Sequence, residues 1–187
     1  MQGCTEKQAD AQPSEIMSFS QIITERYSCK RFDPSRQLSQ EQLDAILQAG
    51  RVAPTAKNLQ EQHIYVIQSA EALAKIDANT PCRYDAPTCL VVAYDATNVF
   101  TYPGGKYDSG AEDATIVATH LMLGAQSVGV NSCWLNFFDP DKLAADLGLP
   151  ANEHILMILD LGFAAKNVGP MQSHFERKPL SETVTYM

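Results

Sequence analysis

A long helical pattern, GAEDATIVATHLMLGAQSVG at positions 110–129, constrains the fold more than any other segment of the chain. Apolar residues occupy almost all sides of the helix that this spacing predicts, so that water can reach only a small part of it. Such a helix has to be enclosed by other elements. We therefore expect it to be central and buried.

Shorter helices and strands surround this segment without a strict alternation of the two. SFSQIITERY predicts a first helix with Phe19, Ile22 and Ile23 on one side. Ser39 and Gln42 form a capping-box pattern, which predicts the start of a second helix. Four short runs predict strands, namely HIYVIQ, CLVVAYD, SCWLNFF and HILMILDLGF. We expect an α+β fold with a mixed sheet around the central helix.

The chain length of 187 residues fits one globular domain. We expect residues 18–187 to form this domain and the polar residues 1–17 to be a tether. Pro and paired Gly within residues 98–108 predict a mobile surface loop. The C-terminal SHFERKPLSETVTYM has no core periodicity, so we expect it to wrap over another part of the structure.

The charge balance argues against nucleic acid as a partner. The chain has 14 Lys and Arg residues and 22 Asp and Glu residues, which gives a formal net charge of −8. Non-specific nucleic-acid binding requires an excess of cations that neutralise phosphates. No apolar run approaches the length needed to span a bilayer, so we expect no transmembrane segment.

The cysteines are dispersed and form no CxxC pair: Cys4, Cys29, Cys82, Cys89 and Cys133. This pattern argues against a disulfide framework and against a cysteine-based zinc site. A reducing compartment, the cytoplasm, is therefore the expected location. The alternative is a lipid anchor on Cys4, because QGC resembles the end of a lipoprotein cleavage site whose signal has been removed.

Motifs for metal-dependent, dinucleotide-dependent and hydrolytic catalysis are absent from the sequence. It contains no GxGxxG, HExxH or GxSxG pattern, and YPGGKY lacks the spacing of a phosphate loop. His120 and Cys133 lie in apolar segments, where a role in the core is the expected one. We expect no metal site and no catalytic side chain.

Cations gather at two places in this acidic chain. Arg26, Lys30 and Arg31 lie around Ser28, and an Arg-Lys pair occupies positions 177–178. Arg offers a planar fork of donors and Lys a point charge, and both suit phosphate oxygens. Composition alone leaves two interpretations open, an anion-binding domain and a solvated basic face.

RYSCKRF resembles the R-x-S-x-[K/R]-x-F opening of the flavin-dependent nitroreductase family. Further landmarks follow in the family's order: APTAKNLQ, the segment from AEDATIV to WLNFFD, LGLPANEHILMILDLGF and RKPLSETV. The resemblance covers residues 19–187, nearly the whole chain. It implies a largely antiparallel sheet, a domain-entwined homodimer and FMN as the cofactor.

The resemblance also implies which positions contact FMN. Contacts on the phosphate and ribityl side fall on Arg26, Tyr27, Ser28, Lys30, Arg177 and Lys178. Contacts on the isoalloxazine ring fall on Thr55, Ala56 and Asn58, reached from the partner subunit, and on Leu135, Asn136 and Phe137. The chain departs from the family where Glu61 and Gln62 replace the usual Pro-Trp, and where Asn136 replaces the more common Gly or Glu.

The function implied by the resemblance is that of an FMN-dependent oxidoreductase. Hydride passes from NADH or NADPH to the flavin, and then to a nitroaromatic, a quinone or a related acceptor, by a ping-pong mechanism. The sequence names neither the acceptor nor the preferred donor. Two alternatives stay open: a relative with specialised flavin chemistry, such as dehalogenation or flavin cleavage, and a non-catalytic module that binds a flavin or an anion.

Overall fold

The computed structural model describes residues 17–187. Nearly all of the predicted tether, including Cys4, lies outside them. The helices are α1 (Phe19–Glu25), α2 (Gln40–Arg51), α3 (Ala70–Asn79), α4 (Gly110–Ser127), α5 (Pro140–Leu147) and α6 (Leu180–Thr183). The strands are β1 (Gln62–Ile67), β2 (Thr88–Asp95), β3 (Asn131–Leu135) and β4 (Glu153–Gly162).

The four strands form one sheet in the order β1-β2-β4-β3, and every pair of neighbours is antiparallel. One parallel bridge, between Ser28 and Ser132, extends the sheet at its β3 edge. The central strands β2 and β4 are buried on both faces, which explains why their sequences are continuous apolar runs. The predicted α+β class, with a mixed and largely antiparallel sheet, is confirmed.

Helices cover both faces of the sheet. Leu90 and Val92 of β2 point into a core that includes residues of α2 and α4. Cys89 and Val91 point to the opposite side, into a second core that includes residues of α3 and α5. The alternation of side chains along β2 therefore serves two hydrophobic layers at once.

The central helix is covered on one side within the single chain. Val117, Leu121 and other residues on this side are fully buried against the sheet and α2. Two glycines allow α2 and α4 to approach closely, because a Cβ on Gly124 would lie 2.6 Å from the Cβ of Ala49, and a Cβ on Gly50 would lie 2.6 Å from the Leu121 side chain. The opposite side of α4 borders an apolar groove.

Three segments show features that the sequence pattern did not predict. The apolar side of α1 is not buried in the single chain, since Phe19 is 70% exposed and Ile23 is 44% exposed. Strand β3 ends at Leu135, because the chain turns there toward Asp139, whose side chain caps α5. The loop predicted for residues 98–108 contains an antiparallel bridge between Thr101 and Asp108, and we call residues 100–109 the hairpin.

Within residues 17–187, no helix combines the length and the apolar character that crossing a membrane requires.

A carboxyl group lies in the middle of the sheet. Asp160 of β4 is fully buried between Cys89 on β2 and Cys133 on β3. The Cys89 thiol donates to its Oδ1 at 3.2 Å, whereas Oδ2 has no hydrogen-bond partner among the residues described. Burial raises the pKa of Asp160 to about 8. The group is therefore mostly protonated in the folded protein at neutral pH.

This pKa predicts how stability depends on pH. Between about pH 3.8 and about pH 8 the folded protein keeps a proton that the unfolded chain releases. The free energy of unfolding should therefore fall as pH rises through this window, by at most about 1.4 kcal/mol per pH unit from this group. Asp160→Asn should remove this part of the fall and be more stable than wild type near the upper end of the window.

Urea unfolding at the two ends of that pH window measures the effect, with the exposed Asp141→Asn as the matched control. Equal pH slopes for wild type and Asp160→Asn would show that Asp160 is ionised in the folded state.

Candidate functional site

The segment after α1 runs along the outer edge of β3. The N–H of Cys29 donates to the carbonyl of Ser132 at 2.9 Å. Cys29 and Phe32 point into the core and are 0% and 1% exposed, which anchors the segment. Ser28 and Lys30 alternate with the buried Cys29 and are exposed. The local geometry thus presents a hydroxyl and an ammonium on one surface.

The C-terminal segment lies beside this surface. Residues Gln172–His174 form a 3-10 turn, and the ring of His174 packs edge-on to that of Tyr27, with centroids 6.5 Å apart. Arg177 Nη1 donates to the carbonyl of Glu176 at 2.6 Å and to that of Ser173 at 3.3 Å. These contacts hold the Arg177 guanidinium over the turn.

The two segments enclose an open cleft of about 240 Å³. Residues predicted from the sequence line most of it, namely Arg26, Tyr27, Ser28, Lys30 and Arg177. The sequence reasoning missed three further lining residues, Met171, Ser173 and His174. His174 and Ser173 lie in the short 3-10 turn of residues 172–174, which gave no periodic signal in the sequence.

Two cations of the sequence clusters lie outside the lining of the cleft. Lys178 pairs instead with Glu182 of α6, with 3.7 Å between Nζ and Oε2, and both side chains are exposed. Arg31 is exposed and does not line the cleft either. The clusters therefore divide into residues that converge and residues that face solvent.

The cations of the cleft have no carboxylate partners within residues 17–187. The ion pairs of this part of the chain involve His63, Arg83, Lys142 and Lys178, and none includes Arg26, Lys30 or Arg177. A chain with a net charge of −8 has many carboxylates available for pairing. Three unpaired cations that meet in one cleft favour an anion site over a solvated basic face.

The segment 53–62 forms a strained loop on α4. Lys57, Asn58 and Gln60 have positive φ values of 53°, 57° and 53°, which side chains adopt at a cost. The N–H of Ala56 donates to Asp113 Oδ2 at 2.9 Å, and the N–H of Gln60 donates to Thr55 Oγ1 at 3.1 Å. These hydrogen bonds hold the loop in its conformation.

The end of β3 is fixed by Asn136. Its Oδ1 accepts a hydrogen bond from the indole N–H of Trp134, and its Nδ2 donates to the carbonyl of Leu156 at 3.0 Å. Leu135 is buried and Phe137 is 72% exposed. Because the Asn136 side chain is engaged within the protein, the backbone of this segment and the exposed Phe137 are left to contact a ligand.

The single chain does not bring all predicted contacts together. Thr55, Ala56 and Asn58 do not line the cleft, and neither do residues 135–137. In the part of the chain that the structure describes, no three His, Cys, Asp or Glu side chains are grouped so that they could hold a metal ion.

Comparison with known proteins assigns the class to which this fold and cleft belong. The pattern of the nitroreductase family matches residues 23–82 and 77–163. A nitroreductase family protein of Clostridium difficile, known from a crystal structure, is 34% identical with a TM-score of 0.85; the match covers 91% of this chain and 98% of that chain.

More distant relatives agree. The oxygen-insensitive NADPH nitroreductase of Helicobacter acinonychis is 24% identical, and the match covers 89% of this chain and 95% of the relative. A structure from Exiguobacterium sibiricum, solved in complex with FMN, has the same fold, with a TM-score of 0.79 at 19% identity over 91% of this chain and 98% of that chain.

The chain belongs to the nitroreductase family. This confirms the family predicted from RYSCKRF and the landmarks that follow it, and with the family the prediction of an oxidoreductase.

Proposed function

We propose that this chain is an FMN-dependent oxidoreductase, which takes hydride from NADH or NADPH and passes reducing equivalents to a nitroaromatic, a quinone or a related small acceptor. The observation that carries the proposal is the convergence of Arg26, Lys30 and Arg177 on one cleft in a member of this family. NADPH- and NAD(P)H-dependent nitroreductases among the relatives, and FMN in a structure of the same fold, support it.

The donors of the cleft fit the phosphate of FMN. Arg26 and Arg177 each offer a planar fork of N–H groups, Lys30 adds an ammonium and Ser28 a hydroxyl. A phosphate group accepts several charge-assisted hydrogen bonds at once, and these are roughly twice as strong as neutral ones. Lys178 points to Glu182, so we propose that Arg177 is the member of the C-terminal pair that holds the phosphate.

The loop residues Thr55, Ala56 and Asn58 would face the ring of an FMN bound by the partner subunit. Their position outside the cleft of their own chain supports a contribution across a subunit interface. Small side chains at 55 and 56 allow a flat ring to approach the backbone, and the Asn58 amide can pair with polar ring atoms.

The end of β3 would supply backbone donors. We propose that the N–H groups of Asn136 and Phe137, with Leu135 behind them, face the ring near its reactive nitrogen. Asn136 commits its side chain to Trp134 and Leu156, which fixes the direction of this backbone. Fixed N–H donors stabilise negative charge where it collects during reduction.

The chain has three tasks in this proposal. FMN, when bound, would accept two electrons with hydride and later release them to the acceptor. The protein holds the phosphate, presents donors where negative charge accumulates, and leaves one face of the site open to a single planar reactant. This last condition requires a ping-pong order, because the oxidised nicotinamide has to leave before the acceptor can enter.

We further propose that two copies of the chain form the active unit. Large apolar side chains remain exposed in the single chain, among them Phe19 at 70%, Phe175 at 67% and Leu180 at 77%. Phe19 and Leu123 also line the apolar groove of about 290 Å³ beside α4. A second copy that covers these surfaces would remove them from water, which stabilises association by about 25 cal/mol per Å² of apolar area.

The cytoplasm is the location that we propose. The described cysteines, Cys29, Cys82, Cys89 and Cys133, carry free thiols, as a reducing compartment favours. The alternative of a lipid anchor depends on Cys4, which lies outside the described residues.

The first test concerns FMN retention. Lys30→Ala and Arg177→Ala should each raise the Kd for FMN by roughly 10- to 150-fold, because a hydrogen bond to a charged group contributes about 1.5–3 kcal/mol. Titration of the apoprotein, followed by flavin fluorescence, measures this. Arg31→Ala is the matched control and should bind FMN as wild type does, since Arg31 lies outside the cleft.

If Arg31→Ala raises the Kd for FMN and Lys30→Ala does not, the phosphate is held elsewhere. A purified protein that is colourless and cannot be reconstituted with FMN would end the proposal as a whole.

The second test concerns the loop. Ala56→Leu should obstruct the ring and lower the FMN content of the purified dimer, while the far-ultraviolet circular dichroism stays that of wild type, because a half-buried loop position accepts bulk if nothing packs on it. Asn58→Ala should retain FMN and slow its reduction by the nicotinamide. The holo-protein content measures the first effect, and stopped-flow bleaching of the flavin absorbance measures the second. Wild-type behaviour of both variants would make the loop a connector.

The third test concerns the dimer. Light scattering at micromolar concentration should give the mass of two chains with two FMN molecules. Leu123→Glu places a charge in the apolar groove and should shift the protein toward monomer with loss of FMN, whereas Lys75→Glu on the distant α3 should leave the dimer intact. A monomeric wild type that still holds FMN would contradict the shared site.

A further inference from the structure

Two buried carboxyl groups lie beneath the loop that we propose for the FMN ring. Glu61 and Asp113 are each 4% exposed within the single chain. Asp113 accepts from the N–H of Ala56 at 2.9 Å, and Glu61 Oε1 accepts from the Ser109 hydroxyl at 3.1 Å. The second oxygen of Glu61 is buried and, as long as the group is ionised, has no donor among residues 17–187.

One shared proton would satisfy both carboxyl groups. Two carboxylates that are buried side by side are costly when both are ionised. Burial, and after it the neighbouring Asp113 carboxyl group, raises the pKa of Glu61 above its usual value. A protonated Glu61 would donate from its second oxygen to Asp113, whose Oδ2 accepts from the N–H of Ala56.

Among residues 17–187, no cation from a neighbouring element compensates the pair. Lys57 of the loop places its ammonium 4.4 Å from the ring centroid of Phe100. Asp108 of the hairpin accepts from the N–H of Gly110 at 3.0 Å. Tyr94 of β2 packs on Gly110, and burial followed by the charge of Asp108 raises its pKa, so that it stays neutral. Within residues 17–187, no ion pair includes either carboxyl group.

The pair connects the loop to the hairpin. Ser109, which donates to Glu61, accepts from the N–H of Phe100 at 3.1 Å and so closes the base of the hairpin. The hairpin carries a row of aromatic rings, in which the centroid of Tyr102 lies 5.7 Å from that of Phe100 and 6.4 Å from that of Tyr107. A substitution of Glu61 or Asp113 would therefore affect both the loop and the hairpin.

We propose that Glu61 and Asp113 are a positioning pair that shares one proton and locks the 55–60 loop to the hairpin, so that planar reactants meet one fixed surface. Both residues act through others, Asp113 through Ala56 and Glu61 through Ser109. Three residues of the loop have positive φ values, which cost free energy. Without the hydrogen bonds to the pair, the loop would relax to a less strained conformation. The inference rests on the proposed function, in which this loop lines the flavin site.

The lock can be tested without turnover. Asp113→Ala removes the acceptor of the Ala56 N–H, so hydrogen exchange at this amide should become roughly 10- to 100-fold faster. Trypsin should also cleave more readily after the exposed Lys57. Glu112→Ala, at the exposed neighbouring position of α4, is the matched control, and unchanged exchange in β4 shows that the fold is intact. Wild-type exchange at Ala56 in Asp113→Ala would overturn the proposal.

The shared proton requires a second measurement, the pH profile of kcat/KM for the nicotinamide. Wild type should lose activity as pH rises and the proton leaves. Glu61→Gln keeps a donor toward Asp113 and an acceptor for Ser109, so it should remain active and lack this alkaline fall. Glu61→Ala should lose roughly tenfold or more while its Kd for FMN stays that of wild type. If Glu61→Gln is as impaired as Glu61→Ala, or keeps the alkaline fall, the pair does not share a proton.

The two measurements separate this inference from the proposed function. A protein that binds no FMN, in which Asp113→Ala still frees the loop, refutes the function and leaves the lock standing. A yellow, active protein in which Asp113→Ala leaves the loop unchanged refutes the lock and leaves the function standing.

Discussion

The pairing of β2 with β4 is the interaction on which the rest of the structure depends. It runs antiparallel from Thr88 to Asp95, and both strands are covered by helices on their two faces. Because these strands occupy the centre, β1 and β3 become the edges, and the candidate site lies beside them. The outer edge of β3 holds the segment that carries Ser28 and Lys30, and the strained loop leads directly into β1.

The charged groups near these edges are placed in ways that lower the stability of the fold. Among residues 17–187, the three cations of the cleft have no carboxylate partner, and the buried Glu61 and Asp113 have no cation partner. Such choices cost free energy, and proteins tolerate them chiefly where function requires them. Asp160 is a third buried carboxyl group, and nothing in the structure explains why the sheet contains it.

Much of the fold could be predicted from local signals. The capping box at Ser39 and Gln42 begins α2, and Asp139 caps α5 with Pro140 at its first position. The burial of Glu61 and Asp113 could not be predicted, because isolated acidic residues are normally exposed and their environment comes from packing between α4 and a distant loop. The exposure of the apolar side of α1 could not be predicted either. Periodicity shows which side of a helix is apolar, but it does not show which element covers that side.

The tail shows the same limit of sequence reasoning. Arg177 and Lys178 are adjacent and chemically alike, yet one lines the cleft and the other pairs with Glu182 one helical turn away. The i,i+4 spacing of Lys178 and Glu182 is visible in the sequence. Once α6 is known to form, this spacing predicts that Lys178, and not Arg177, pairs with Glu182. His174 and Ser173 entered the site through the 3-10 turn, whose three residues have no periodic pattern.

The position of Arg177 in the chain has a consequence for biosynthesis. Arg26 and Lys30 leave the ribosome before any strand of the sheet, whereas Arg177 follows β4, the strand that completes the sheet. A nascent chain therefore carries an incomplete cleft until every strand has been translated. In the proposed function, a chain that is cut before the tail would lack Arg177 and with it one of the three cations for the phosphate.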